Sequence, residues 1–133
     1  MIDLEAKVTL DEACEALRLP PSHFVSVFPE PLTIRKLVGA SVFAALSLIA
    51  HNAAGARAIA LDAADGVAPN GNRYLSVICD WRATGPIARW CDIERPQDNF
   101  PVTMTTIVIP ADRMARDIAD AVSSLRRGTE KLN

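Results

Sequence analysis

Leu37 to Ala56, LVGASVFAALSLIAHNAAGA, runs for twenty residues without a charged side chain and follows directly on Arg35-Lys36. A membrane-crossing helix needs about 20 predominantly apolar residues. Here the strongly apolar part stops at Ala50, and His51 and Asn52 would carry polar groups into lipid without partners. The stretch therefore reads as a buried helix of a compact domain. At helical spacing Val38, Val42, Ala45 and Ile49 form one apolar stripe, continued by Ala53, Ala56 and Ala60. The opposite stripe, Ala40, Ala44, Ser47, His51, Ala54 and Ala58, is built of small residues that let another backbone come close. Both faces are expected to be covered, by this chain's own sheet or by another subunit.

Working outward, Thr9-Leu10-Asp11-Glu12 is a capping box, and Leu10, Ala13, Cys14 and Leu17 make one helical stripe that Pro20-Pro21 ends. A short element, Ser22 to Phe28, precedes Pro29-Glu30-Pro31. The long central helix starts near Thr33 and breaks around His51 to Gly55. Its second segment ends at Asp65-Gly66, where Gly66 suits a left-handed cap. Val67 to Arg73 reads as a loop and as the candidate hinge.

The periodicity then changes to two. Tyr74–Arg82, Ile87–Glu94 and Val102–Ile109 read as strands. A turn at Thr84-Gly85-Pro86 would set Cys79 opposite Cys91 and Val77 opposite Ile93. Leu75, Val77, Cys79, Trp81, Ile87, Cys91 and Ile93 would then face inward with Arg89 as the misfit, and Ser76, Asp80, Arg82, Trp90, Asp92 and Glu94 outward. Pro110 opens a C-terminal helix with Met114, Ile118, Ala121, Val122 and Leu125 on one side. That helix should stop at Gly128 and carry Asp112–Arg116, Arg113–Asp117 and Arg116–Asp120 pairs on its outer face. The expected fold is α+β: N-terminal helices with a long central buried helix, a three-stranded antiparallel β-meander and a C-terminal amphipathic helix. All 133 residues form one domain, with a helical part over 1–66 and a β-β-β-α part over 74–133.

Half the residues are hydrophobic and 23% charged, which supports a packed core and excludes a disordered chain. The net charge of -2 argues against nucleic acid as a partner. The acidic start, MIDLEAKVTL, lacks the basic and apolar regions of a secretory leader. With three widely spaced cysteines read as reduced thiols, the expected location is the cytoplasm, without disulfides.

Few residues carry chemistry. Cys79 and Cys91 on facing strands read as small buried hydrophobes, because no CxxC or nearby histidine completes a four-ligand metal set. His51 reads as a hydrogen-bonded interior histidine, and no catalytic constellation, cofactor site or metal site emerges. An enzyme using His51 with Cys79 or Cys91 is the least favoured reading. Trp90, on the wet side of the hairpin and flanked by Arg82, Arg89 and Asp92, forms with them the candidate protein interface, since Trp and Arg are enriched at binding hot spots. An equal alternative packs Trp90 beneath the Arg95–Pro101 segment.

Thr9 to Gly39, TLDEACEALRLPPSHFVSVFPEPLTIRKLVG, resembles the start of excisionase-like and MerR-like helix-turn-helix proteins, in which a T-x-x-E-A-A-x-x-L helix precedes a short recognition helix and a basic wing. The resemblance implies DNA recognition by Ser22 and His23 with Arg35 and Lys36 in the wing. The charge pattern departs from it: Arg18 stands where Gly is usual, Ser22–Phe28 holds no Lys or Arg, and residues 1–31 hold two basic against six acidic residues. The favoured expectation is thus a small cytosolic, bacterial-type, non-catalytic module that binds another protein, as an accessory, adaptor, assembly or antitoxin-like component, or binds itself as a homodimer. A helix-turn-helix regulator is the alternative.

Overall fold

The computed structural model describes residues 2–25, 27–47, 53–80, 86–92 and 104–132. The elements are β1 (Lys7–Val8), α1 (Leu10–Leu17), α2 (Ser22–Val25), β2 (Leu32–Thr33), α3 (Ile34–Ser47), α4 (Ala53–Gly66), β3 (Tyr74–Asp80), β4 (Ile87–Cys91), β5 (Met104–Ile109) and α5 (Ala111–Leu132). The fold is α+β, with a three-stranded antiparallel sheet, a separate two-stranded ribbon and a long C-terminal helix.

Local chemistry sets the first elements. Thr9 Oγ1 accepts from the Glu12 amide at 3.1 Å, and Glu12 Oε1 accepts from the Thr9 amide at 3.0 Å, which completes the capping box. α1 ends on Arg18 in the left-handed region, φ 53°, where its amide donates to Cys14 O. β1 and β2 pair antiparallel, Lys7 with Thr33 and Val8 with Leu32, and so bracket α1 and α2. Two-residue strands are too short to leave a periodic signal in sequence.

The uncharged stretch contributes to two helices, α3 and α4, which pack along each other; the break expected around His51 to Gly55 is corrected in its second half, because Ala53 to Gly55 belong to α4, and His51 and Asn52 lie outside the described residues. Among the described residues no helix is long and apolar enough to cross a membrane. Close approach requires Gly39: a Cβ there would fall 2.3 Å from the Phe28 ring and 2.9 Å from Ala60 O. Leu37, Val38, Ala40, Val42 and Leu46 are buried, as are Ala56, Ile59, Ala60 and Ala63. Burial on both sides fails beyond Val42, because Ala45, Ser47, Ala54 and Ala58 lie exposed on the outside of the two-helix layer. Ile49 and His51 lie outside the described residues.

Gly66 ends α4 but does not adopt the left-handed cap, since no glycine among the described residues has positive φ. Side chains satisfy the last carbonyls instead. Arg35 Nη1 donates to Ala64 O at 2.8 Å and Asp65 O at 3.0 Å, and Arg73 Nη2 donates to Gly66 O. Gly66 is small because Trp90 lies on it: a Cβ there would be 2.9 Å from Trp90 Cζ2.

In the sheet the order is β4-β3-β5, so β3 is central and the expected meander is corrected: β5 returns to pair with β3, not with β4. The hairpin register is corrected as well. Cys91 lies opposite Tyr74, not Cys79, and Trp90 lies opposite Leu75. The displacement is five positions, an odd number, so every β4 side chain changes face. Leu75, Trp90 and Ile109 form one inward row, and Val77, Ala88 and Ile107 the next. This register places Trp90 against the core and Arg89 in solvent, which removes the misfit of an inward Arg89 at the expense of an outward Ile87.

α5 lies against α1, α3 and β3 with Ala111, Ala115, Ile118 and Val122 buried. It does not stop at Gly128 but continues to Leu132. Gly128 meets nothing within 4 Å, so nothing opposes a helical residue there.

Candidate functional site

The sheet presents its alternate residues on the side away from the core. By register the outward rows are Asp80–Met104, Ile87–Ile78–Thr106, Arg89–Ser76–Val108 and Cys91–Tyr74. Antiparallel sheets with one solvated face normally carry polar side chains there. Here Ile87 is 60% exposed, Ile78 and Val108 are half-buried, Ser76 is buried, and Arg89 and Asp80 hold the charged positions of these rows. Ile87 and Leu61 are the large hydrophobic residues left exposed among the described residues.

The candidate interface read from the sequence is rearranged. Trp90 is half-buried, packs against the core and Gly66, and carries a guanidinium over its ring 4.3 Å from the centroid. That guanidinium is Arg73's. Arg89 and Asp92 are exposed. Arg82 and the Arg95–Pro101 segment lie outside the described residues. Trp90 and Arg89 therefore occupy opposite faces of one strand, and Ile87 rather than Trp90 shares the face of Arg89.

The strongest polar cluster surrounds Asp112, which is fully buried in the first turn of α5. Its carboxylate accepts from the Ala68 amide at 2.8 Å, the Arg73 amide at 2.9 Å and Arg73 Nε at 3.1 Å. Arg116 Nη1 donates to Gly71 O at 2.6 Å, and its Nη2 donates to Asn72 Oδ1 at 2.8 Å. Gly71 is required because a Cβ would fall 2.1 Å from Asp112 Oδ2. The expected hinge is thus a loop bolted to α5, and the expected outer-face pair Asp112–Arg116 is corrected: both residues turn inward onto that loop. Every Asp112 contact is satisfied from within the chain, which fits a structural carboxylate better than a reactive one.

For the helix-turn-helix alternative, α2 is a single turn. Ser22 is exposed, and His23 is half-buried with its Nδ1 enclosed and without a hydrogen-bond partner. Arg35 Nε donates to Glu5 at 2.7 Å in addition to its two α4 carbonyls. Lys36 Nζ donates to Pro29 O at 3.0 Å and Pro31 O at 2.8 Å, across the turn that contains the cis Glu30–Pro31 bond. Both cations are engaged within the protein. A groove of about 320 Å³ opens between α1 and this turn, lined by Leu10, Phe24, Phe28, Pro29, Glu30 and Leu32.

The thiols do not converge as a facing pair, because Cys79 pairs with Thr105 and Cys91 with Tyr74. Burial and the nearby Asp11 push the Cys14 thiol pKa up, against nucleophilic use. No group of three or more His, Cys, Asp or Glu among the described residues is placed to hold a metal ion. Sequence reasoning missed Arg73, Asp112 and Ile87. Their signal was faint: Asp112 at the second position after Pro110, and Ile87 at a strand start, resemble ordinary surface and core residues. No family model, curated protein or solved structure matches this chain.

Proposed function

We propose that the chain acts by binding another protein rather than by catalysis, and that the outward face of the sheet is the contact surface. Ile87 carries this reading. An isoleucine left 60% exposed at the start of the edge strand β4, beside half-buried Ile78 of the central strand, is an apolar surface that a partner would cover. Arg89 in the adjacent row supplies a charged rim of the kind interfaces favour. The bound state would remove Ile87 from water, a contribution of about 1.5–3 kcal/mol at full burial.

The test compares native and Ile87→Glu protein as bait for affinity capture from the native host, with unfolding midpoints measured in parallel. A specific set of co-purifying proteins should be lost from the variant while its midpoint stays unchanged. Capture of the same proteins by both baits would remove the sheet face from consideration.

A further inference from the structure

We infer that the groove between α1 and the Pro29–Pro31 turn is a second contact site, which takes one large apolar side chain of a partner protein with a lysine or arginine beside it. None of its lining residues belongs to the three-stranded sheet, so the site is separate from the sheet face.

The groove is formed before anything enters it. Its deep lining is Phe24, Phe28 and Leu32, each no more than 3% exposed, and its accessible lining is half-buried Leu10 with exposed Pro29 and Glu30. Two contacts hold these residues in place. The Phe28 ring lies against Gly39 of α3, where no Cβ intervenes. Lys36 Nζ donates to both Pro29 O and Pro31 O and so ties the turn to the same helix. A preformed lining keeps the ordering cost of binding low. At about 320 Å³ the space is at the lower end of ligand clefts, room for one large side chain rather than for a cofactor.

Charge selects the occupant. Glu30 is the one charged residue in the lining, is exposed, and makes no ion pair among the described residues. Lys36 does not neutralise it by direct pairing, because its ammonium is taken by the two proline carbonyls. Asp11, next to Leu10, and Glu15 are exposed on α1 and are likewise without an ion pair among the described residues. An incoming cation gains from this field, and an incoming carboxylate is repelled by it.

The backbone of the turn disfavours the other common mode of peptide capture. Strand addition needs a row of free amides and carbonyls. Pro29 and Pro31 have no N–H, and their carbonyls already accept from Lys36. Recognition therefore falls to the inserted side chain, for which an aromatic residue offers the largest buried area.

The experiment follows the amide resonances of the full chain during titration with three probes. These are acetyl-Gly-Trp-Lys-Gly-amide, the same peptide with Glu in place of Lys, and the same peptide with Ala in place of Trp. At millimolar concentration the tryptophan–lysine peptide should move the resonances of Leu10, Phe24, Phe28 and Leu32. The glutamate peptide should bind about threefold more weakly, and the alanine peptide should leave those resonances in place. Glu30→Lys should keep the native melting curve and reverse the preference between the two charged peptides. If that variant melts lower, Glu30→Gln takes its place and should abolish the preference. The inference is overturned if no groove resonance moves with the tryptophan–lysine peptide, if the alanine peptide moves them equally, or if the preference for lysine survives both Glu30 variants. Ile87→Glu should bind the peptide as the native protein does, so this site can stand where the sheet face fails. Binding lost in Ile87→Glu would assign the peptide to the sheet face and overturn the inference.

Discussion

Asp112 and Glu12 hold the same kind of position. Each lies in the first turn of a helix, accepts a backbone amide there or near it, and meets an arginine from a distant part of the chain. Their surroundings differ. Asp112 is fully buried and gathers two loop amides and Arg73, whereas Glu12 keeps about a quarter of its side chain in water beside a half-exposed Arg126. Coulomb attraction between such pairs depends on the medium far more than on distance. The comparison teaches that burial, rather than the identity of the pair, decides how much of the fold depends on it.

The largest effect should follow from breaking the buried member. Asp112→Ala would leave the Ala68 and Arg73 amides and the Arg73 guanidinium without their acceptor, at a cost of about 3–5 kcal/mol in a denaturant titration. A loss under 1 kcal/mol would mean that the loop does not depend on this carboxylate.

The exposed member should matter less and should be visible through pH. The Arg126 side chain, followed by the Thr9 amide, holds the Glu12 carboxyl down at about 2 from 4.5. A depressed carboxylate pKa contributes stability that is complete above the unfolded value and fades as pH falls toward the folded one. Glu12→Gln keeps a capping-box side chain but removes the charge. It should cost about 0.5–1 kcal/mol at neutral pH, after screening by solvent. The difference from native protein should shrink as pH is lowered from about 4.5 to about 2. A difference that persists undiminished at low pH would show that charge is not its origin.

The smallest effect has the opposite sign. Gly128 lies in α5 with no atom in reach of a new methyl group. Gly128→Ala should stabilise by about 0.5–1 kcal/mol, read as a raised thermal midpoint. A lowered midpoint would mean that the end of α5 is not helical in solution.

These differences also mark what the sequence disclosed. The Thr9–Glu12 box, the Pro20-Pro21 stop and the onset of β3 were legible because neighbouring residues determine them. The β4 register was not. Separating apolar from polar residues along β4 alone turns Trp90 outward, and only the distant Gly66 and Arg73 supply a seat for its ring. Asp112 was misread for the same reason: spacing along α5 suggests Arg116 as its partner, while the true partners lie 39 and 44 residues earlier. The candidate interface moved with the register: Arg89 turned from the inward to the outward face, and Ile87 took the place of Trp90 beside it.

The placement of α5 has a consequence for biosynthesis. It packs on α1 and α3, and Arg126 reaches back to Glu12 and to Lys7 O. Those partners leave the ribosome long before α5 does. At roughly 5–20 residues per second, the apolar face of α3 must wait several seconds for its cover. During translation the face of α3 that α5 covers therefore stays open until α5 emerges, and protection against aggregation has to bridge that interval.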